Sequence, residues 1–364
     1  MTGMSSIRYH EHSITAIDQT PIVIDNGHLL RDKGQKEWYL GDEVISELQY
    51  LKEDGVRWEL RYKQVQKIWH DIITNKLHIL IDSERPILLT ESFLYYYPKK
   101  EDTAEWIFES LNPPSLCLYP SPILSLHATC RTTGLVIQAG HRKTDVVAIQ
   151  DGLPIKWRQT HTAGDELTHF LIYKLRERGY ELYTGVGYEH TRRIKETFCY
   201  VPDWDEVYTK FHESPQAFQR TYTLPDGQTI TVDEELFHTG MAFLDPCTFG
   251  TKYPSVDSIV YNTIMNDDKD LQAVLTRNIV LAGGSANLPG IAEILKGELD
   301  NYYGFRSEPI LAEIHTPSNP HLLAWTGGSM MAEHSSLKER WISRQEFEEF
   351  GHSIVKRKGV YQHP

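Results

Sequence analysis

The stretch GLVIQAGHRKTDVVAIQDG, Gly134 to Gly152, is two apolar runs around a short polar turn. Each run has the length and β-branched content of a buried strand, and glycine bounds the pair at both ends. The turn holds Gln138, His141, Arg142 and Lys143. Two readings of it are open. It is an ordinary hairpin with a charged tip, or it is what remains of a loop that once held a phosphate and its metal. The choice separates a nucleotide-driven machine from a structural relative of one.

The same grammar extends on both sides. Upstream, PIVID (Pro21 to Asp25) is a strand stopped by an Asn-Gly turn. LRYKQVQKIWHDIITNKL spaces Leu60, Val65, Ile68, Trp69, Ile72 and Leu77 like an amphipathic helix. RPILLTES is a short buried strand, and DTAEWIFESLN is a helix with Asp102 or Thr103 as its cap. SLCLYP is a strand ending at proline, and SPILSLHATC a short apolar helix. Downstream, AGDELTHFLIYKLRERGY is a helix with a stop at RGY, and TRRIKETFCYV is another that breaks at Pro202. TYTLPDGQTITV is a hairpin around Asp226-Gly227. Strands alternating with helices predict an α/β fold.

The bulk numbers bound the rest. A chain of 364 residues predicts two or three domains with ample core. It is 40% hydrophobic and 24% charged, so it reads as globular rather than disordered. A net charge of -13, from 37 basic and 50 acidic residues, opposes contact with nucleic-acid backbones. Cys117, Cys130, Cys199 and Cys247 have no zinc-site or redox spacing and read as reduced, mostly buried thiols of a cytoplasmic protein. The first twenty residues read as a loose polar tail without an apolar signal region. No apolar run reaches the roughly 18 residues of a transmembrane span.

VLAGGSANLPG, Val280 to Gly290, runs from a buried strand into Gly283-Gly284. Two glycines let a backbone turn tightly and approach a ligand, and Ser285 is placed to cap the next helix, whose free amides can meet a phosphate. The same pattern also makes a plain strand-to-helix turn. AWTGGSMMAEH reads as a second glycine turn of this kind, leading into a helix.

Taken together, YLGDE, KIWHDI, LLTES, LSLHATCRTTG, ERGY, RRIKETFCYV, YTLPDGQTITV, YNTIM, LAGGSANLPGIA, AWTGGS and WISRQEFEEFGHSIVKRK resemble the actin and actin-related protein family, in family order and over nearly everything from Tyr39 onward. The resemblance implies an α/β, actin-like (ribonuclease H-like) two-lobe fold of the actin, Hsp70 and sugar kinase superfamily. It implies a nucleotide cleft between lobes that takes ATP or ADP with a divalent ion, usually Mg. On that basis residues 1–20 are a variable tail, 21–126 and 320–364 the first lobe, and 127–319 the second, large lobe.

The carry-over to single residues is uneven. Arg192, Lys195 and Glu196 match the family's nucleotide-side trio, and their spacing puts them on one helix face. Gly283, Gly284 and Ser285 match the loop that passes close to the nucleotide, and Leu288 stands where the family often has an aromatic residue near the base. Gly164 matches too, although Asp165 replaces a usual basic residue. On the phosphate side, Asn26 and Gly27 remain of the first loop, with His28 at its hydroxyl position, and a family segment before YLGDE is absent. The first lobe is therefore expected to be short, with an exposed sheet edge that pairs with another chain or is covered by residues 1–20.

The opening turn matches the second phosphate loop. Gly140 is kept, but Gln138 and His141 replace both family aspartates, so the metal ligation is left unknown and Mg in doubt. Ser121 stands where the family has the glutamine that positions water. Arg142 and Lys143 either meet phosphate in place of the metal or form a charged turn, the reading preferred here. Loss of even one electrostatic donor costs about 10²–10³ in rate. The resemblance thus implies an actin-related cytoskeletal protein of the cytoplasm, structural or filament-associated, with weak or absent ATP hydrolysis and no identifiable catalytic residue. Its implied partners are actin-like subunits, itself, or other subunits of a cytoskeletal complex, with no nucleic acid and no membrane. A polymerising ATPase and a nuclear chromatin-remodelling subunit are the alternatives. In the family's partner groove Met330 and Met331 keep an apolar surface, while His127, His334 and Arg340 depart from the family pattern, as does the tail GVYQHP.

Overall fold

The computed structural model describes residues 6–9, 12–15, 22–24, 29–31, 38–40, 66, 69–70, 73–74, 85–91, 100–183, 185–250, 253–265, 268–304, 311–332 and 334–360. The Asn26-Gly27 pair and His28 lie outside these residues, as do most of the helix expected around KIWHDI and the last residues of YLGDE.

The chain begins with strands β1 (Ser6–Tyr9), β2 (His12–Thr15) and β3 (Ile22–Ile24), followed by a separate hairpin of β4 (Leu29–Arg31) and β5 (Trp38–Leu40). The stretch read as a loose tail thus contributes two strands. β2 pairs antiparallel with β3, Ile14 opposite Ile24, so the sheet edge beside β3 is covered by the chain's own beginning. Strand β6 (Ile87–Glu91), helix α1 (Lys100–Ser110) and strand β7 (Ser115–Pro120) follow. β3, β6 and β7 are parallel neighbours, and the helical crossover between β6 and β7 is what parallel pairing requires. Helix α1 begins ahead of the expected cap: Asp102 and Thr103 lie inside it, with Thr103 buried.

Helix α2 (Ser121–His127), with proline in its first turn, leads to the second sheet. Here β8 (Gly134–Ala139), β9 (Thr144–Gln150) and β10 (Leu153–Thr160) form an antiparallel meander. Helices α3 (Gly164–Glu177), α4 (Gly185–Phe198) and α5 (Trp204–Glu213) come next, then the hairpin of β11 (Arg220–Thr223) and β12 (Thr229–Val232). After α6 (Glu234–Leu244), α7 (Val256–Ile264) and α8 (Lys269–Thr276), strand β13 (Ile279–Ala282) returns to lie parallel to β8. Helix α9 (Ile291–Gly304) and strand β14 (Ile314–His315) complete this sheet. The chain then crosses back through α10 (Leu323–Ala332) to β15 (Ile342–Ser343), which pairs antiparallel with β7, and ends its described part in α11 (Arg344–Phe350) and α12 (His352–Lys358).

Strands β6, β7, β8, β9 and β13 are apolar runs because they are buried on both faces, whereas β10 at the edge of the second sheet is largely exposed. Along β8, Leu135, Ile137 and Ala139 face the core of the second lobe, while Val136 points to a separate cluster shared by the two sheets. That shared cluster takes Leu88 and Cys117 from the first sheet, Val147, Val280 and Ala282 from the second, Leu124 from α2 and Trp325 from α10. A third cluster, with Leu116, Leu118, Ile107 and Ile354, lies on the outer face of the first sheet.

The sequence AWTGGS is not a turn. Gly327 and Gly328 sit inside α10, where a Cβ on Gly327 would lie 1.8 Å from the Leu124 carbonyl oxygen. Glycine is required there by a close crossing of α10 over α2. The expectation of mostly buried thiols holds for Cys117 and Cys199, whereas Cys130 and Cys247 are exposed. Among the described residues no helix is long and apolar enough to cross a membrane.

Candidate functional site

Because β8 and β13 are parallel neighbours, with Ala282 opposite Gln138, their carboxyl ends lie side by side. In open α/β sheets ligands bind at such ends. Gly283 follows β13 with φ 96°, and a Cβ there would stand 2.2 Å from the Ala139 carbonyl oxygen. Its glycine is therefore demanded by the neighbouring strand rather than by a ligand. Gly284 differs, since a Cβ there meets nothing within 4 Å.

The Gly140 carbonyl is the knot of this junction. It accepts from the Ser285 hydroxyl at 3.0 Å and from the Gly164 amide at 3.1 Å. Ser285 is thus not a helix cap but a bolt between the two glycine loops. Helix α4 adds Lys195, whose buried Nζ donates to the Gly164 carbonyl at 2.6 Å and to Thr168 Oγ1 at 2.9 Å. Gly140, Gly164, Lys195 and Ser285 are therefore brought together, beside Gly283 and Gly284. Arg192 turns to the carboxylates of its own helix, donating to Glu189 Oε2 at 2.9 Å and Glu196 Oε1 at 2.7 Å. The trio shares a helix, yet Arg192 and Glu196 engage each other while Lys195 is fastened to α3. Leu288 packs into the second-lobe core.

The polar turn between β8 and β9 is closed by the Gly140 amide donating to the Lys143 carbonyl at 3.0 Å. Gln138, in place of an acid, accepts from the Ser125 hydroxyl at 2.9 Å. Lys143 Nζ lies 3.1 Å from Asp145 Oδ1. Asp145 sits opposite Gln138 across the strands and is 4% exposed. Burial raises the Asp145 carboxyl above its ordinary value, and the adjacent Lys143 only partly offsets this. Arg142 is exposed. Asp165 is held by Tyr188, whose hydroxyl donates to Oδ1 at 2.5 Å, with His141 Nε2 at 3.7 Å and His169 Nε2 at 3.6 Å. Burial and that hydrogen bond push the Tyr188 phenol up. Ser121 donates to the Glu91 carbonyl at 3.0 Å.

A magnesium ion asks for hard anionic oxygens and structured water. At this turn the two carboxylates are committed elsewhere, Asp145 to Lys143 and Asp165 to Tyr188 and the imidazoles, and Gln138 is neutral. This donor set does not fit the metal that the resemblance implies. Among the described residues, one trio has metal-ligand atoms mutually within 4.8 Å: Asp102 and Glu105 of α1 with His352 of α12. It lies on the first lobe, largely exposed, and is no part of the glycine junction.

On α10, in the segment expected to line the family's partner groove, Met330 is exposed and Met331 buried. Burial, with His334 nearby, lowers the His127 pKa. Arg340 donates to the Gly359 carbonyl at 2.8 Å, fastening the segment after α12. Sequence reasoning missed Asp145, Ser125 and Tyr188. The first was within reach, because Asp145 lies only two residues beyond Lys143, at the start of β9. The other two come from separate helices, which no local pattern links to the turn.

A model of the family described as Actin matches residues 18–360. The chain is 31% identical to putative actin-29 of Dictyostelium discoideum over 336 residues, which is 89% of this chain and 85% of the relative. It is 32% identical to centractin of Schizosaccharomyces pombe over 333 residues, 89% of this chain and 86% of the relative. The two sheets, the helices that join them and these matches together make the chain a member of the actin and actin-related protein family, with the actin-like two-lobe α/β fold.

Proposed function

We propose that this chain is an actin-related cytoskeletal subunit of the cytoplasm, structural or filament-associated, whose ATP hydrolysis is weak or absent. The observation that carries this reading is the Lys143–Asp145 ion pair beside Gln138, at the turn that matches the family's second phosphate loop. Phosphoryl transfer needs a positioned nucleophile and stabilised charge on the phosphoryl group. A turn whose carboxylate is neutralised from within, and a Ser121 hydroxyl spent on a backbone carbonyl, supply neither.

In this reading the lobes divide as 21–126 with 320–364, and 127–319. ATP or ADP lies at Gly140, Gly164, Arg192, Lys195, Glu196 and Gly283 to Ser285, with Asn26 and Gly27 from the other lobe. Gly284, open above its Cα, is where backbone approaches it most closely. Such a nucleotide stabilises by linkage without being consumed. Similarity to a protein named centractin supports membership of an actin-related assembly, with actin-like subunits or further copies as partners. The test is phosphate release from ATP by the purified chain, alone and with actin, together with pelleting. Co-pelleting without phosphate release above background is expected. Phosphate release that rises with self-assembly would sink the reading.

A further inference from the structure

We propose that Lys143 is a built-in cation: its ammonium, paired with Asp145, takes the charge-balancing place of a divalent ion, so the fold of this chain is independent of Mg. The inference rests on the reading of the Gly140–Lys143 turn as a former phosphate loop. Lys143 starts from a fixed point, since its carbonyl closes the turn onto the Gly140 amide. Asp145 is two residues on, at the start of β9, within reach of the lysine side chain. Both charged atoms, Lys143 Nζ and Asp145 Oδ1, are buried, and among the described residues neither has a well-directed hydrogen bond to anything else. Each therefore depends on the other at 3.1 Å. A buried pair of this kind tolerates loss of both members far better than loss of one. A metal entering here would have to displace the ammonium from Asp145 and leave it buried without a counter-charge.

The experiment compares thermal unfolding of the full chain in Mg and in EDTA, then repeats it for Lys143→Ala, Asp145→Asn and the double variant. The wild-type midpoint is expected to be the same in both buffers. Lys143→Ala strips the carboxylate of its cation, and its midpoint is expected to rise with added Mn²⁺ or Mg²⁺. The double variant is expected to be more stable than Lys143→Ala and blind to metal. It also covers the case in which the single variant fails to fold. A wild-type midpoint that falls on chelation, a Lys143→Ala protein that ignores metal, or losses that simply add in the double variant would each overturn the proposal. Phosphate release is read separately, so a metal-dependent fold with no hydrolysis would end this inference and leave the proposed function standing.

Discussion

At the scale of single residues, adjacent glycines have opposite reasons to exist. Gly283→Ala forces a side chain into a positive φ and onto the Ala139 carbonyl, and is expected to cost about 2–4 kcal/mol in urea unfolding. Gly284→Ala, with nothing within 4 Å, is expected to change stability little and nucleotide affinity more. The pH response of the Lys143–Asp145 pair has a definite sign. Asp145 binds its proton more tightly folded than unfolded, so its burial costs nothing at low pH and costs progressively more as pH rises above the ordinary value of 3.8. Removing Lys143 raises the folded value further. The deficit of Lys143→Ala, measured by denaturation across pH, is therefore expected to grow from acid to neutral. The sequence told where the turn is and that its acids are gone. It did not tell that Lys143 folds inward, because an exposed lysine and a buried one look alike until a carboxylate is seen beside it.

At the scale of elements, the crossing of α2 and α10 sets two effects against each other. Alanine is favoured over glycine inside a helix by about 1 kcal/mol. A Cβ placed 1.8 Å from the Leu124 carbonyl outweighs that gain, since overpacking a close contact costs about 1–3 kcal/mol even after adjustment. Gly327→Ala is thus expected to lower the melting temperature, a result opposite to that for an ordinary helical glycine. Helix α11 offers a second case. Ser343 and Glu346 form a capping box, and Lys358 from α12 binds the same carboxylate at 2.8 Å. The Lys358 contact, with the Ser343 amide, lowers the Glu346 pKa to about 2. Its contribution is complete above the ordinary value of 4.5 and is lost as pH falls toward about 2. Glu346→Ala is expected to cost about 1 kcal/mol at neutral pH and nothing in strong acid, by denaturation at both. Most elements were legible from periodicity and turn dipeptides. The glycines of α10 were misread because a glycine pair signals a turn locally, and only the neighbouring helix shows why it is tolerated.

At the scale of the whole molecule, the shared cluster draws side chains from both sheets, and the lobes are therefore expected to unfold together. Leu124 is fully buried within it, and Leu124→Ala is expected to cost about 2–5 kcal/mol. Hydrogen exchange should quicken together in β6 and β13, although Leu124 belongs to neither. Separate responses of the two strands would mean that the lobes unfold apart. The two-lobe fold was legible because many long segments carry it in order. The covering of the first sheet by β2 was only one of two options, since pairing partners of short polar strands are set by register rather than composition. The return of the chain through α10 has a consequence in time. β7 receives its neighbour β15 only after residues 342–343 have left the ribosome, long after β6 and β7 themselves. Throughout synthesis of the second lobe the first is a half-built sheet with a bare flank, and its birth, more than its finished form, is when this chain is most exposed to the wrong companion.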